Sequence, residues 1–572
     1  MSDIKIIPLG GVRENAKNMY AVEVDEDIFI LDCGLQYPES GLLGIDIVIP
    51  DFSYLKENAS KIKGVFLTHG HADAIGALPY FVSEFSVPVF GSELTIALAR
   101  IACEGEEKSK KFRDFHVITE QTEIDFSDDT TISFFKTTHS IPESLGIVVK
   151  TAKGSIVYTG DFKFDQTAAP GYRSDLARLA EIGSEGVLAL LSDSANADDS
   201  AAAKRIADER EIYDFIAENF EDSKGRIIVA CKASNILRVQ QVFNAAAKYN
   251  RKVALTGYDV EKIVRTAMKL NKLHLPDENM LINLNEIDKY PEDQIVILET
   301  GRSGEPLKSL QKMAQKRHRK VNLHEGDLVF ITTTPSHAME TMMAKTRDMI
   351  YRAGATVKAI SEELNSSGHA NRDDLQLMMN LLKPKYVVPV QGEYRLLSAN
   401  RRWAEEIGIP KENIFILKKG DVLEYTKGKM AITGSVEVGN TMIDGIGVGD
   451  IGNIVLRDRK VLSEDGIFIA VITIDRKKKK IVDEPKLTSR GFVYVKNNRD
   501  LMDESAKIVK TVVQANLDNK EFDWSHLKQD IRDNLNRYLY EQTRRHPVIL
   551  PVIMEINQYN NYRKNKDHKK KN

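Results

Sequence analysis

Cysteine, long hydrophobic runs and an excess of one charge are all scarce in this sequence of 572 residues. The three cysteines, Cys33, Cys103 and Cys231, have neither zinc-knuckle nor disulfide spacing, so we expect a reducing compartment, the cytoplasm. No apolar run is longer than a strand, and the first residues lack the regions of a signal peptide, so no membrane association is predicted. The net charge of −3 argues against non-specific coating of nucleic acid, although a local basic channel is compatible with it.

The spacing of the apolar segments predicts an α/β protein with several domains, because 572 residues are too many for one hydrophobic core. The first part alternates short apolar strands with polar turns, and the middle alternates helices with buried strands. A glycine-rich stretch without a strong period predicts a linker, and a run of lysines near the end predicts a disordered tail. The predicted division is 1–200 and 351–420 for one split domain, 201–350 for an inserted α/β domain, 421–449 for the linker, 450–556 for a C-terminal domain and 557–572 for the basic tail.

The C-terminal domain is predicted to combine strands and helices. Short apolar runs predict strands at Asn453–Leu456 and Ile467–Ile474, and the stretch after Pro547 predicts a closing strand. Apolar residues at helical spacing predict two amphipathic helices, Leu501–Leu517 and Asp523–Tyr540. We therefore expect a small α+β domain.

The strongest chemical signal is the segment His69-Gly-His-Ala-Asp73, which follows the apolar run Val65–Leu67. Two further apolar strands end in residues of the same kind, His139 and Asp161. Imidazole and carboxylate groups are the usual ligands of zinc or manganese, and strand ends hold them rigidly with one side open. A single histidine is more often a core or surface residue, but three matching strand ends favour a metal site. A complete His-x-His-x-Asp-His motif would carry a third histidine where this sequence has Ala74.

These motifs resemble those of the metallo-β-lactamase fold, with Thr138-His139-Ser-Ile-Pro and Thr159-Gly-Asp161-Phe-Lys-Phe-Asp beside the segment at residues 69–73. Further segments narrow the resemblance to nucleases with a β-CASP insertion, and specifically to the ribonuclease J family. These segments are Leu191-Ser-Asp193-Ser-Ala-Asn196, Glu299-Thr-Gly-Arg-Ser-Gly-Glu-Pro306, Ser367-Gly-His369-Ala and Pro389-Val-Gln391-Gly-Glu-Tyr-Arg395. The resemblance runs from residue 5 to about residue 556 and leaves out only the basic tail.

The resemblance implies a metallo-β-lactamase αββα sandwich, an inserted β-CASP α/β domain and a small α+β C-terminal domain that mediates oligomerisation. It implies an RNA hydrolase with endonuclease and 5′→3′ exonuclease activity, a preference for 5′-monophosphorylated RNA, and roles in mRNA decay and ribosomal RNA maturation. The chain is most similar to the less active of two paralogues. We therefore expect a homodimer, or a heterotetramer with an active paralogous subunit, in the cytoplasm.

The resemblance also implies two metal ions, either Zn²⁺ or Mn²⁺. The first ion would take four ligands that are all present here, namely His69, His71, His139 and Asp161. The second would take Asp73 and the bridging Asp161, together with imidazoles at the positions of Ala74 and Gln391. Since an alanine offers nothing and an amide oxygen is a weak ligand for such ions, we expect one firm site and a second that is weak or empty. The rate should then fall by some orders of magnitude.

Asp73, Asp161 and His369 are the implied catalytic residues. Asp32 and Asp193 would lie behind the metal ligands and orient the histidines. RNA phosphate would meet two polar segments, Ser234-Asn235 and Asn365-Ser366-Ser367-Gly368-His369. Asn365 stands where the family has a histidine, and it cannot carry a positive charge. The alternative for the first segment is simple helix N-capping by Ser234, and for the second it is an ordinary N-cap turn before a helix at Asp373–Leu381. Both alternatives stay open. A structural Ca²⁺ is implied beside three residues, Leu43, Ile45 and Asp444.

Two functions therefore stay open. One is an RNA-binding subunit with weak metal-dependent nuclease activity of its own. The other is a non-catalytic RNA-binding scaffold that stabilises or modulates the active paralogue and keeps its first metal as a structural zinc. A small-molecule hydrolase of the same fold is disfavoured, because the insertion at residues 201–350 and the phosphate loops would then have no purpose.

Overall fold

A computed structural model describes most of the chain, and its residues divide into two compact units. The first unit comprises Met1–Tyr37 and Ile47–Thr441, and the second comprises Pro38–Asp46 and Met442–Asn572. The described residues are 3–38, 42–198, 207–257, 260–300, 306–332, 340–360, 364, 366–445, 447–449, 452–519 and 521–556. Asn365 and the predicted tail at residues 557–572 lie outside them. None of the helices in this part of the chain is long and apolar enough to cross a lipid bilayer.

A sandwich of two sheets forms much of the first unit. The first sheet has the order β21-β20-β1-β2-β3-β5-β6-β7 and the second β19-β12-β11-β10-β9-β8. The strands of the first sheet are β1 (Ile4–Pro8), β2 (Tyr20–Val24), β3 (Asp27–Leu31), β5 (Ile62–Phe66), β6 (Val89–Gly91), β7 (Phe115–Val117), β20 (Asp421–Thr426) and β21 (Lys429–Ser435). Those of the second are β8 (Glu123–Ser127), β9 (Thr130–Lys136), β10 (Leu145–Lys150), β11 (Ser155–Tyr158), β12 (Val187–Asp193) and β19 (Tyr386–Val390). A separate short strand, β4, spans Ile47–Pro50.

Strands buried on both faces explain the continuous apolar runs of the sequence. In β10, Ile147 and Val149 enter the core between the two sheets, while Val148 enters a second core under the outer helices. The helices of that second core are α5 (Leu176–Glu185), α11 (Arg372–Leu382) and α12 (Tyr394–Glu406). Four more helices, α1 (Ser53–Glu57), α2 (Ala72–Ile75), α3 (Leu78–Phe81) and α4 (Glu93–Glu104), lie in the connections of the first sheet. This is the predicted αββα sandwich.

The inserted domain has one sheet of six parallel strands in the order β15-β14-β16-β13-β17-β18. These are β13 (Ile227–Ala230), β14 (Lys252–Thr256), β15 (Leu281–Ile282), β16 (Ile295–Glu299), β17 (Leu328–Ile331) and β18 (Thr356–Ala359). The connecting helices are α6 (Glu209–Asp222), α7 (Ile236–Lys248), α8 (Val260–Lys269), α9 (Pro306–Ala314) and α10 (Glu340–Arg352). Because the strands are parallel, the loops after their carboxyl ends share one edge of the sheet.

The second unit contains strand β24, which pairs in parallel with β27 from Ile467↔Val548 to Ile474↔Glu555. Its helices α14 and α15 cover one face of this sheet and form a core with Phe468 and Ile472. The elements are β22 (Asn440–Asp444), which begins at the end of the first unit, β23 (Gly447–Val448), α13 (Asn453–Glu464), β24 (Ile467–Asp475), β25 (Lys480–Ile481), β26 (Lys486–Arg490), α14 (Arg499–Asp518), α15 (Trp524–Thr543) and β27 (Val548–Glu555). The predicted α+β character is confirmed.

Two of the sequence predictions are wrong in detail. The strand predicted at Asn453–Leu456 is the first turn of helix α13, and Ile454 is 67% exposed. A three-residue apolar run cannot by itself distinguish a strand from a helix. Residues 421–449, predicted as a linker, contain strands, and β20 pairs with β1 and buries Leu423 in the sandwich core. The missed signal is the turn Lys427-Gly428, where both residues have positive φ as a two-residue hairpin requires.

Candidate metal centre

Five strands of the sandwich deliver polar residues to one edge, where each strand ends. Strand β5 leads to His69 and His71, and the following helix α2 begins at Ala72 and holds Asp73 in its first turn. The other four strands, β9, β11, β12 and β19, lead to His139, Asp161, Asp193 and Gln391. The structure therefore brings together all five predicted metal ligands, and ligand atoms of His69, His71 and His139 lie within 4.8 Å of one another.

The protons of two imidazoles are fixed by backbone carbonyl groups. His71 donates from Nε2 to the oxygen of Ser234 at 3.2 Å, and His139 donates from Nδ1 to the oxygen of Gly368 at 2.8 Å. Because a carbonyl oxygen can only accept, each neutral ring is unprotonated at its other nitrogen. These two nitrogens, Nδ1 of His71 and Nε2 of His139, face each other at 3.1 Å. Two lone pairs at this distance repel each other, whereas a cation can bind both.

A hydrogen-bond chain fixes the third imidazole in the same way. Thr68 donates its hydroxyl proton to Asp32, with O–O distances of 3.0 and 2.9 Å, and accepts from Nδ1 of His69 at 2.9 Å. Asp32 also accepts from the hydroxyl of Tyr158 at 2.8 Å. Nε2 of His69 is therefore unprotonated. It lies 3.6 Å from Oδ2 of Asp161 and is buried without a hydrogen-bond partner among the described residues. Asp32 thus supports His69 through Thr68, a link the sequence did not reveal.

The protonation states suit a divalent cation. Burial lowers the pKa of His69 and His139, and it lowers that of His71 to about 3, so all three rings are neutral. Burial and the neighbouring charge of Asp73 raise the pKa of Asp161 well above its usual range. Within the part of the chain that the structure describes, Oδ1 of Asp161 is buried without a hydrogen-bond partner. A cation between these groups would remove this electrostatic penalty. Three imidazole nitrogens and one carboxylate therefore fit an ion of the zinc type.

The residues at the predicted second position do not fit a firmly held ion. Gln391 donates from Nε2 to Oδ2 of Asp73 at 3.1 Å, so an amide N–H stands where a ligand lone pair is needed. The backbone N–H of Gln391 donates to the oxygen of Gly11 at 2.6 Å. Oε1 of Gln391 is buried without a hydrogen-bond partner among the described residues. The reverse amide orientation would place that oxygen against the carboxylate. Ala74 is fully buried, and its methyl side chain has no atom that could bind a metal ion.

His369 forms an ion pair at the open side of this centre. Its Nδ1 lies 2.9 Å from Oδ2 of Asp193 and 3.9 Å from Oδ2 of Asp161. Burial lowers the pKa of His369, but the charges of Asp193 and Asp161 outweigh that effect and raise the pKa to about 10. The ring is therefore a cation at neutral pH, and its side chain keeps 28% of its surface exposed.

Both helices are capped, but by residues other than those the sequence suggested. Helix α11 is capped by Asn371, which accepts from the N–H of Asp374, so the preceding loop of Ser366, Ser367 and Gly368 is free of that role. In that loop, Ser367 accepts from the N–H of His369 at 3.0 Å. Helix α7 is capped by Asn235, whose side chain accepts from the N–H of Arg238 at 3.0 Å.

Lys232 is a residue that sequence reasoning missed. It stands two positions before Ser234, the residue that contacts His71, and its charge lowers the pKa of both His71 and Asp73. The only signal in the sequence was a lysine directly after the apolar run of β13. Such a lysine is usually a solvated surface residue, so the pattern alone could not distinguish it.

The predicted calcium position is engaged differently. Arg459 donates from Nη1 to the oxygen of Leu43 at 2.9 Å and from Nη2 to Oδ2 of Asp444 at 2.7 Å. Ile45 lies in the same loop, and its N–H donates to the oxygen of Leu42. A guanidinium thus lies against two of the predicted calcium ligands, and the calcium site stays a prediction.

Comparisons with known protein families match four segments of the chain. The metallo-beta-lactamase superfamily matches residues 12–208, and the ribonuclease J beta-CASP domain matches residues 224–349. The Zn-dependent metallo-hydrolase RNA specificity domain matches residues 354–417, and the ribonuclease J C-terminal domain matches residues 454–556. Together they cover most of the chain and agree with the observed order of the sandwich, the insertion and the C-terminal elements.

Several relatives are similar over nearly the whole length. Ribonuclease J 2 of Streptococcus pyogenes is 56% identical over 556 residues, which are 97% of this chain and all of that protein. Ribonuclease J 2 of Staphylococcus epidermidis and of Staphylococcus aureus are each 46% identical over 97% of this chain and 98% of their own length. A crystal structure of a protein of unknown function from Enterococcus faecalis has a TM-score of 0.53 at 15% identity over 74% of this chain and all of its own, and thus shares the fold.

We predict that the chain binds one ion of zinc or manganese tightly, because three imidazoles and Asp161 offer ligands on one side while the amide of Gln391 faces Asp73 on the other. Replacing a ligand with His139→Ala should weaken this binding by more than about 100-fold, a loss beyond that of a supporting residue. The metal content of chelator-treated, reloaded and desalted protein, measured by mass spectrometry, checks both expectations. His116→Ala removes an exposed histidine that contacts Asp114 and Phe90 and should leave the content unchanged. Two equally tight ions in the parent would contradict the prediction.

Proposed function

The chain belongs to the ribonuclease J family, and we propose that it is a metal-dependent RNA hydrolase with one firm metal site and weak intrinsic activity. The observation that carries the proposal is the contrast between the two halves of the centre. His69 and His139 lie beside Asp161, and His71 faces His139, so four ligand groups lie close together. On the other side, Gln391 hydrogen-bonds Asp73 where a second ion would need a ligand.

The proposed roles follow from the protonation states. His69, His71, His139 and Asp161 would hold one ion, which supplies Lewis-acid polarisation of a phosphoryl oxygen and activation of water when bound. Hydrolysis adds the oxygen of water to phosphorus and breaks the bond to the leaving oxygen. The water releases one proton, which restores the general acid after that acid has given one proton to the leaving oxygen. His369 is a cation at the open side, so we assign it to hold the attacked phosphate and to donate the proton to the leaving oxygen. Asp193 keeps the ring charged and oriented.

Weak activity is expected because the centre has lost preorganised positive charge. Removing one electrostatic partner of a transition state typically lowers the rate by about 10²–10³-fold. Asp73 keeps its carboxylate, and neighbouring positive charge, including that of His369, outweighs burial and lowers its pKa, so it is ionised. It can then still orient a water molecule, although its Oδ2 is engaged by Gln391.

We extend the proposal to the substrate and partners implied by the resemblance. The RNA specificity domain matched at residues 354–417 supports RNA as substrate. The preference for 5′-monophosphorylated ends is proposed from the resemblance alone. Association with a second copy in a homodimer, or with a paralogous subunit in a heterotetramer, is supported by strand β27, where Leu550, Val552 and Met554 are exposed apolar side chains. Three free thiols support a cytoplasmic location.

The second candidate is a non-catalytic scaffold for an active paralogue. The hydrogen bond between Gln391 and Asp73 favours it, because this contact satisfies the carboxylate without any ion. In that case the remaining ion would be a structural zinc. The two candidates differ in whether the purified chain hydrolyses RNA by itself.

We expect the purified chain with manganese to degrade 5′-monophosphorylated RNA slowly, because the first ligand set and His369 are present. A twin carrying His69→Ala and His71→Ala controls for contaminating nucleases and should lose all of this activity. Gel analysis of end-labelled RNA at matched protein concentration measures the difference. Equal degradation by parent and twin would refute intrinsic catalysis and leave the scaffold.

Restoring the missing imidazoles should raise the rate. In a variant with Ala74→His and Gln391→His, a second ion bound beside Asp73 should accelerate hydrolysis by about 10²-fold or more. Single-turnover rates with saturating manganese, measured together with metal content, test this expectation. Gln391→Asn keeps an amide at one position and should not accelerate hydrolysis. Two bound ions without a faster rate would show that metal geometry does not limit the activity.

A further inference from the structure

The backbone around Lys232 is fixed against the metal centre. Strand β13 ends at Ala230, and a turn follows in which the N–H of Asn235 donates to the oxygen of Lys232 at 3.1 Å. The same turn presents the Ser234 oxygen to Nε2 of His71. Helix α7 then starts with Asn235 as its cap, and the N–H of Leu237 donates to the oxygen of Ser140, the residue after His139. Two metal-ligand segments therefore hold the loop that carries Lys232.

The ammonium group of Lys232 is available for a ligand. The residue is exposed, and no ion pair of Lys232 is found within the described residues. The turn that carries Lys232 contacts His71 through the Ser234 oxygen, which places this lysine beside the centre. Neither Ala74 nor Gln391 contributes any charge there.

The charge balance of the centre leaves a role for one more cation. Three carboxylates, on Asp73, Asp161 and Asp193, lie near one imidazolium on His369, so one divalent ion would at most neutralise the centre before RNA arrives. A phosphodiester then adds a negative charge close to carboxylates. A second ion would have left a surplus of positive charge for it, and without that ion the surplus must come from the protein.

We propose that Lys232 binds an RNA phosphate at the metal centre and supplies part of the positive charge that a second ion would have brought. The proposal rests on the proposed function in taking RNA as the ligand, but it does not require that the chain cleaves RNA. A lysine suits this task because its flexible stem carries a point charge that needs no fixed fork geometry. A contact with the phosphate backbone of RNA also does not depend on the base sequence.

Binding of an uncleavable ligand tests the contact independently of catalysis. The full chain, loaded with zinc, is titrated with a fluorescent 2′-O-methyl oligoribonucleotide at several salt concentrations. Lys232→Gln should weaken binding by about tenfold and reduce the salt dependence of log Kd by about 0.7, the value for one contact with a single strand. Lys232→Arg should keep both. Lys224→Gln is the matched control, since Lys224 is an exposed lysine that precedes the same strand at its other end.

A second measurement locates the contact. One uncharged methylphosphonate linkage is placed at each position of the oligonucleotide in turn. In the parent, the linkage that meets Lys232 should weaken binding when neutralised, and in Lys232→Gln this same replacement should have no further effect. All other linkages should act alike in both proteins, because their contacts are independent.

The outcomes separate this proposal from the proposed function. Equal losses in Lys232→Gln and Lys224→Gln, or additive effects at every linkage, would overturn the role of Lys232 while leaving the hydrolysis test of the parent and its twin untouched. The expected binding pattern together with no hydrolysis of unmodified RNA would support Lys232 and would refute only intrinsic catalysis.

Discussion

Two backbone carbonyl groups determine how the centre can work. They bind the outer nitrogens of His71 and His139 and so leave two unprotonated nitrogens facing each other at 3.1 Å. Neither carbonyl lies on the strands that carry the histidines, because Ser234 follows β13 of the inserted domain and Gly368 precedes helix α11. The insertion therefore completes the metal centre as well as bordering it. A displacement of the inserted domain would change the proton positions of His71 before it changed any metal ligand.

Positions 74 and 391 carry no imidazole, and the sandwich tolerates this because Asp73 keeps a hydrogen-bond partner. Asp73 is a buried carboxylate, and leaving such a group without a partner would cost several kcal/mol. The amide of Gln391 supplies the missing hydrogen bond, and the small side chain of Ala74 leaves no polar group to satisfy. The sandwich thus stays intact although two positions proposed as ligands of a second ion carry no imidazole. The remaining half keeps its support through Thr68 and Asp32, which lie behind His69 and do not involve the altered positions.

The sequence predicts the fold class and the composition of the centre, because both depend on short-range patterns. Buried strands appear as apolar runs, and the ligands stand directly after them, so their convergence follows from sheet geometry. The supporting link through Thr68 joins neighbouring residues to Asp32, which is far away in sequence, and no spacing rule reveals it. The capping residues Asn235 and Asn371 lie one to a few positions beyond the predicted ones. Strand β20 was missed because it pairs with β1, which is distant in sequence. The turn at Lys427-Gly428 was its local sequence signal.

The number of ions is the central claim, and anomalous diffraction from crystals soaked in manganese tests it most directly. The account predicts one strong anomalous peak within bonding distance of His69, His71, His139 and Asp161, with the amide of Gln391 still bound to Asp73. A second peak of comparable height between Asp73 and Gln391 would contradict the account. It would show that a complete two-metal centre forms without either imidazole.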